Sequence, residues 1–73
     1  MTNAEYIAHL EAKLASLKPR GERLLQEERE AYINKNYITL ENVRKESDFI
    51  FKQIRQTEEA LGIAQTLDRI YNG

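Results

Sequence analysis

The sequence contains no cysteine, so neither a disulfide bond nor a thiolate metal site can brace this chain of 73 residues. A chain of this length lies near the lower limit at which one hydrophobic core holds a fold unaided. We therefore expect a single domain over residues 1–73. Its stability should come from regular helix packing or from self-association, and a homo-oligomer is the expected state.

The chain also lacks an excess of charge of either sign, with 11 basic and 12 acidic residues. Phosphate contacts supply most of the affinity of nucleic-acid binders, which normally carry a basic excess on one face, so a nucleic-acid partner is disfavoured. No apolar run approaches the roughly 18 residues of a membrane span. The N-terminus has neither the basic start nor the apolar core of a signal peptide, which predicts a cytoplasmic protein without membrane contact.

Residue patterns that would support catalysis are missing as well. His9 is the only histidine, and the sequence shows no partner that would make it a general base. The three glycines are scattered, so they form no phosphate-binding loop, and no Glu-x-x-His pair suggests a carboxylate-bridged metal site. We expect a protein that is not an enzyme, with no catalytic residue, metal or cofactor.

Apolar spacing predicts helices along most of the chain. A capping box at Thr2 and Glu5 precedes apolar residues at 3-4-3 spacing, which predicts a helix over about 3–17. Pro19 and Gly21 then predict a turn between antiparallel helices, the alternative being a kink in one long helix. For the next helix, about 22–34, the predicted inner face is Leu24, Leu25, Ala31 and Tyr32.

A second break is predicted at Asn34-Lys35-Asn36, before the longest helix, over about 39–70. Gly62 could end that helix as a C-cap or lie inside it, and the charge-paired outer face favours continuity. The fold class is therefore all-α, a small helical hairpin or three-helix bundle with one long C-terminal helix and a possible coiled-coil-like dimer. The inner stripe of the long helix is Leu40, Val43, Ile50, Ile54 and Leu61.

Beyond Gly62 the apolar residues move to the opposite side of a continuous helix. A second hydrophobic face is thereby available for oligomer or partner contact. Phe49 lies opposite the inner stripe and shares the helical angle of Leu67. The predicted partner-binding residues are Phe49, Ile63, Leu67, Ile70 and Tyr71.

Residues 60–70, with the sequence ALGIAQTLDRI, resemble the turn and second helix of helix-turn-helix regulators. The resemblance implies that Gln65, Thr66 and Arg69 would face DNA. Two departures stand out: the isoleucine and the threonine-leucine pair are one residue closer together than in the usual pattern, and Asp68 replaces a neutral or basic contact residue.

Two functions follow from these patterns. The preferred interpretation is a non-enzymatic protein–protein interaction module, a small regulatory, inhibitory or assembly accessory protein that occupies the surface of a partner protein. Plain chains of this size are common among bacterial and phage accessory proteins. The alternative is a DNA-binding regulator that uses a degenerate helix-turn-helix at 60–71.

Overall fold

The computed structural model describes residues 2–72, which form two long antiparallel helices, α1 (Asn3–Ile33) and α2 (Tyr37–Asn72). The helices account for 94% of the residues described, and that part of the chain contains no strand. The hairpin is elongated, measuring 53 × 17 × 14 Å. The all-α prediction is confirmed, and the three-helix bundle is wrong.

The start of α1 follows from its predicted cap. The backbone N–H of Glu5 donates to the Thr2 hydroxyl at 3.1 Å, and that hydroxyl donates to the Glu5 carboxylate at 3.2 Å. These bonds satisfy one of the free amides that every helix leaves at its first turn. The sequence therefore fixes where α1 begins, close to the predicted bound.

Residues 34–36 connect the helices and confirm the second predicted break. Lys35 adopts a left-handed conformation with φ of 55°, which reverses the chain. The Asn36 side-chain oxygen then accepts a hydrogen bond from the Thr39 backbone N–H at 3.3 Å and caps α2. Because this turn is so short, the two helices lie side by side as antiparallel neighbours.

The predicted turn at Pro19 is wrong, since α1 continues through it. Proline has no N–H, so one backbone hydrogen bond is lost there, and its ring crowds the preceding turn. Pro19 lies on the exposed side of α1, however, while Leu17 and Gly21 on either side of it are buried against α2. Packing along α2 therefore outweighs a local preference against helix of about 3 kcal/mol.

We use the word seam for the buried and half-buried positions at which each helix faces the other. In α1 these positions recur with spacings of three and four residues only, and in α2 the same spacing holds, with Phe51, Gln53 and Ala60 half-buried beside the seam. The α1 positions are Asn3, Ile7, Leu10, Leu14, Leu17, Gly21, Leu24, Glu28 and Ala31. The α2 positions are Leu40, Val43, Ser47, Ile50, Ile54, Thr57, Leu61, Ala64 and Asp68.

The middle of the seam forms the hydrophobic core, in which each fully buried aliphatic side chain contributes about 1.5–3 kcal/mol. At Gly21 the helices approach closely, because a side-chain carbon there would lie 3.2 Å from the Phe51 ring. The core residues are Leu14, Leu17, Leu24, Val43, Ile50 and Ile54, with Phe51 and Leu61 packed against them.

The seam corrects two predicted core residues, Leu25 and Tyr32, which are 48% and 66% exposed. A turn at Pro19 would let the second helix rotate independently of the first, and the predicted inner face therefore included Leu25 and Tyr32. With α1 continuous, the spacing instead selects Leu24, Glu28 and Ala31. The Glu28 carboxylate, 30% exposed, accepts a hydrogen bond from Arg44 of α2 at 3.2 Å, so it is neither fully buried nor unpaired.

Substitution of Pro19 by alanine tests whether α1 is one helix. Pro19→Ala restores a backbone hydrogen bond and removes a steric clash without touching the seam. We expect the free energy of unfolding to rise by about 2–3 kcal/mol, measured by urea denaturation followed by circular dichroism. An unchanged or lowered stability would mean that the chain turns at Pro19.

Candidate interaction surface

Helix α2 passes through Gly62 without a break, as the sequence favoured, so its C-terminal third is continuous with the rest of the helix. The Thr66 hydroxyl donates to the Gly62 carbonyl oxygen at 2.8 Å within this helix. A side-chain carbon at Gly62 would meet no atom within 4 Å. This glycine is therefore exposed to solvent and is not required by the packing of the hairpin.

Beyond Gly62 the seam continues through small and polar residues. Ala64 is 3% exposed and Asp68 is half-buried. The Asn3 side-chain amide at the start of α1 donates to the Ala64 carbonyl at 3.2 Å and to the Asp68 carboxylate at 3.4 Å. These bonds hold the two helices together at the open end of the hairpin, where no large aliphatic side chain fills the α2 side of the seam.

The large apolar residues of this segment consequently lie outside the seam. Ile63 is 63% exposed, Leu67 43%, Ile70 66% and Tyr71 79%. We call these four residues the open-end face. Ile63 and Leu67 also border a shallow groove on α2 whose other lining residues are Glu59, Gly62 and Thr66. Exposed apolar residues grouped in this way are typical of surfaces that bind another protein.

Phe49 does not belong to this group, although it is 60% exposed and shares its helical angle with Leu67. Because α2 is continuous, the rise of the helix places Phe49 about 21 Å from Ile63 along the axis. Lys52 and Gln56, both exposed, lie on the same side between them. Of the predicted partner-binding residues, four are therefore neighbours and Phe49 is a separate surface residue.

Tyr6 of α1 extends the open-end face onto the first helix. It lies one turn beyond Asn3, so the antiparallel register places it level with residues 61–65 of α2. In an antiparallel helix pair, the positions directly before seam residues lie on the same side of the pair in both helices. Tyr6 and Leu67 both occupy such positions. Tyr6 is 40% exposed and borders the face on that flank.

The residues of the DNA-binding alternative are all exposed, but the motif that would present them is not formed. Gln65, Thr66 and Arg69 lie on the surface of α2. A helix-turn-helix requires a turn before its second helix, whereas residues 60–71 are one uninterrupted stretch of α2. The turn that the resemblance implies is therefore absent from this segment, because the Gly62 region continues the helical hydrogen-bond ladder.

Within residues 2–72 no three histidine, aspartate or glutamate side chains lie close enough together to hold a metal ion. His9 is exposed on α1. Neither of the helices described contains a stretch apolar enough to cross a bilayer.

A second exposed apolar surface, which sequence reasoning missed, lies at the turn of the hairpin. Leu25 and Tyr32 line a groove with Glu28, Arg29 and Arg44, on the flank opposite to Tyr6 and Leu67. Continuing the α1 spacing through Pro19 would have revealed these two residues, since it leaves both outside the seam. This turn-end face comprises Leu25, Tyr32, Ile33, Tyr37 and Ile38, all exposed.

Comparison of the chain with protein-family models, with curated proteins and with solved structures finds no significant match.

Alanine at Gly62 tests the placement of this residue on the surface of a continuous helix. The added methyl group meets open space, so Gly62→Ala should gain the difference in helix propensity, about 1 kcal/mol in the free energy of unfolding. Thermal and urea unfolding at low protein concentration measure this gain.

Gly21→Ala is the matched control, because the same propensity gain is opposed there by contact with the Phe51 ring at 3.2 Å. We expect Gly21→Ala to stabilise the hairpin less than Gly62→Ala. If Gly62→Ala proves destabilising, the helix does not continue through this position.

Proposed function

We propose that this chain is a non-enzymatic protein–protein interaction module that acts by occupying the surface of a partner protein. In this proposal its hairpin is a two-stranded antiparallel coiled coil. The seam supports that geometry, because alternating spacings of three and four residues are typical of coiled coils and run through both helices.

The observation that carries the proposal is the exposure of Ile63, Leu67, Ile70 and Tyr71 on a helix that does not break. The seam needs none of these side chains, since Ala64 and Asp68 already face α1. Aromatic and branched aliphatic residues of this kind bury a large area at little cost in side-chain entropy. The role proposed for this surface is that of a small regulatory, inhibitory or assembly accessory protein.

Charge substitution on the open-end face tests the proposal. Leu67→Glu places a carboxylate in the middle of the contact surface, where its desolvation opposes association. Immobilised wild-type chain should retain its protein partner from an extract of the cells that encode it. The variant should bind that partner at least about thirtyfold more weakly, as expected for a residue at the centre of an interface.

Phe49→Glu is the matched control, since it changes another exposed apolar residue of α2, one that lies outside the face. It should retain the partner as the wild-type chain does. Circular dichroism should show both variants equally helical, because neither residue lies in the seam. A partner that is lost with Phe49→Glu but kept with Leu67→Glu would contradict the proposal.

The DNA-binding alternative predicts a different pattern from the same set of proteins. Gln65→Ala and Arg69→Ala would then abolish retention of DNA fragments. Leu67→Glu would reduce DNA retention less, because Gln65 would still reach the bases. DNA retention at physiological salt that depends on Gln65 and Arg69 would overturn the interaction-module proposal in favour of that alternative.

A further inference from the structure

The hairpin exposes more surface than a compact protein of its mass. Its accessible surface is 5699 Å², whereas a folded monomer of 8.6 kDa is expected to expose about 4,700 Å². Its radius of gyration, 16.4 Å, likewise exceeds the roughly 11 Å expected for a compact domain of this length. The excess, about 1,000 Å², is close to the roughly 800 Å² that each partner buries in a standard protein interface.

From this we infer that the occupant of the open-end face is a second copy of this chain, with the two α2 segments packed antiparallel across a two-fold axis near residue 65. The inference rests on the proposed function, because it names the partner of the same face.

The spacing of the apolar residues is self-complementary in that arrangement. A two-fold axis near residue 65 sets Ile63 of each copy opposite Leu67 of the other. It also sets Ala60, which is small and half-buried, opposite the large side chain of Ile70. Two branched residues thereby pack against each other, Ile70 meets a small residue, and Gly62 keeps the groove beside Ile63 free of a side chain.

The charge that borders the face favours the antiparallel direction. Glu59 lines the groove beside Ile63 and Leu67 and is exposed. A parallel pair would set the two Glu59 carboxylates level with each other, whereas an antiparallel pair separates them by about 18 Å along the helix axis. Like charges placed side by side at an interface disfavour that orientation of the partners.

Solution mass across a hundredfold range of concentration, measured by light scattering, is the first test. We expect the wild-type mass to approach twice that of the monomer as concentration rises. Leu67→Glu, present in both copies, should raise the dissociation constant at least about thirtyfold, and Phe49→Glu should leave it unchanged.

The orientation is tested by cross-linking through an introduced cysteine, which is the only thiol in the chain because the native sequence has none. A short bifunctional maleimide should join the two chains of Thr66→Cys, whose equivalent positions lie about 3 Å apart along the axis of an antiparallel pair. Gln56→Cys should not cross-link, because its equivalent positions lie about 27 Å apart. Efficient cross-linking of Gln56→Cys would overturn the antiparallel arrangement.

Two further outcomes separate this inference from the proposed function. A wild-type chain that stays monomeric throughout overturns the second copy as occupant. The proposed function then still stands if Leu67→Glu loses another protein partner that Phe49→Glu retains. If the chain dimerises but Leu67→Glu leaves the dissociation constant unchanged, the dimer contact lies elsewhere and the inference is overturned. If, in addition, no other protein loses binding to the Leu67→Glu variant, the proposed function fails as well.

Discussion

The rest of the structure depends on the seam, because each helix of this hairpin covers the apolar stripe of the other and no third element within residues 2–72 shares that task. The spacing of three and four residues must therefore hold along the whole length of both helices. This constraint explains why α1 passes through Pro19: a turn there would remove Leu24 and Ala31 from α2 and leave Val43 and Leu40 uncovered.

Polar residues within the seam determine how the two helices align. Glu28 of α1 pairs with Arg44 of α2 near the turn, and Asn3 bonds to Ala64 and Asp68 near the other end. Each exposed or half-exposed pair contributes little stability, about 1 kcal/mol or less. A shift by one heptad would nevertheless separate both sets of partners at once, so these contacts select one register over its neighbours.

Much of the fold could be predicted from the sequence, because the cap at Thr2, the turn at residues 34–36 and the core leucines are local or periodic signals. Pro19 misled the prediction, since the rule that proline ends helices is local and the packing that overrides it is not. Polar residues in the seam hid its period in α2: Ser47 and Thr57 are 5% and 3% exposed, and omitting them makes the apolar stripe look interrupted. The open-end face was predictable once the helix was taken as continuous, whereas the turn-end face required the correct phase of α1.

The composition of the seam also gives the hairpin a gradient of local stability. Large aliphatic side chains fill its middle, whereas its open end is closed by the Asn3 amide, Ala64 and Asp68. Segments with few buried apolar contacts open most readily, so backbone amides near residue 68 should exchange with solvent before those near Ile50. Any molecule that binds the open-end face binds the part of the fold expected to open first, and part of its binding free energy goes into holding that end closed. Occupancy of the face is therefore linked to the folding of the last turns of α2. A bound molecule would slow amide exchange in these turns and raise the melting temperature of the hairpin.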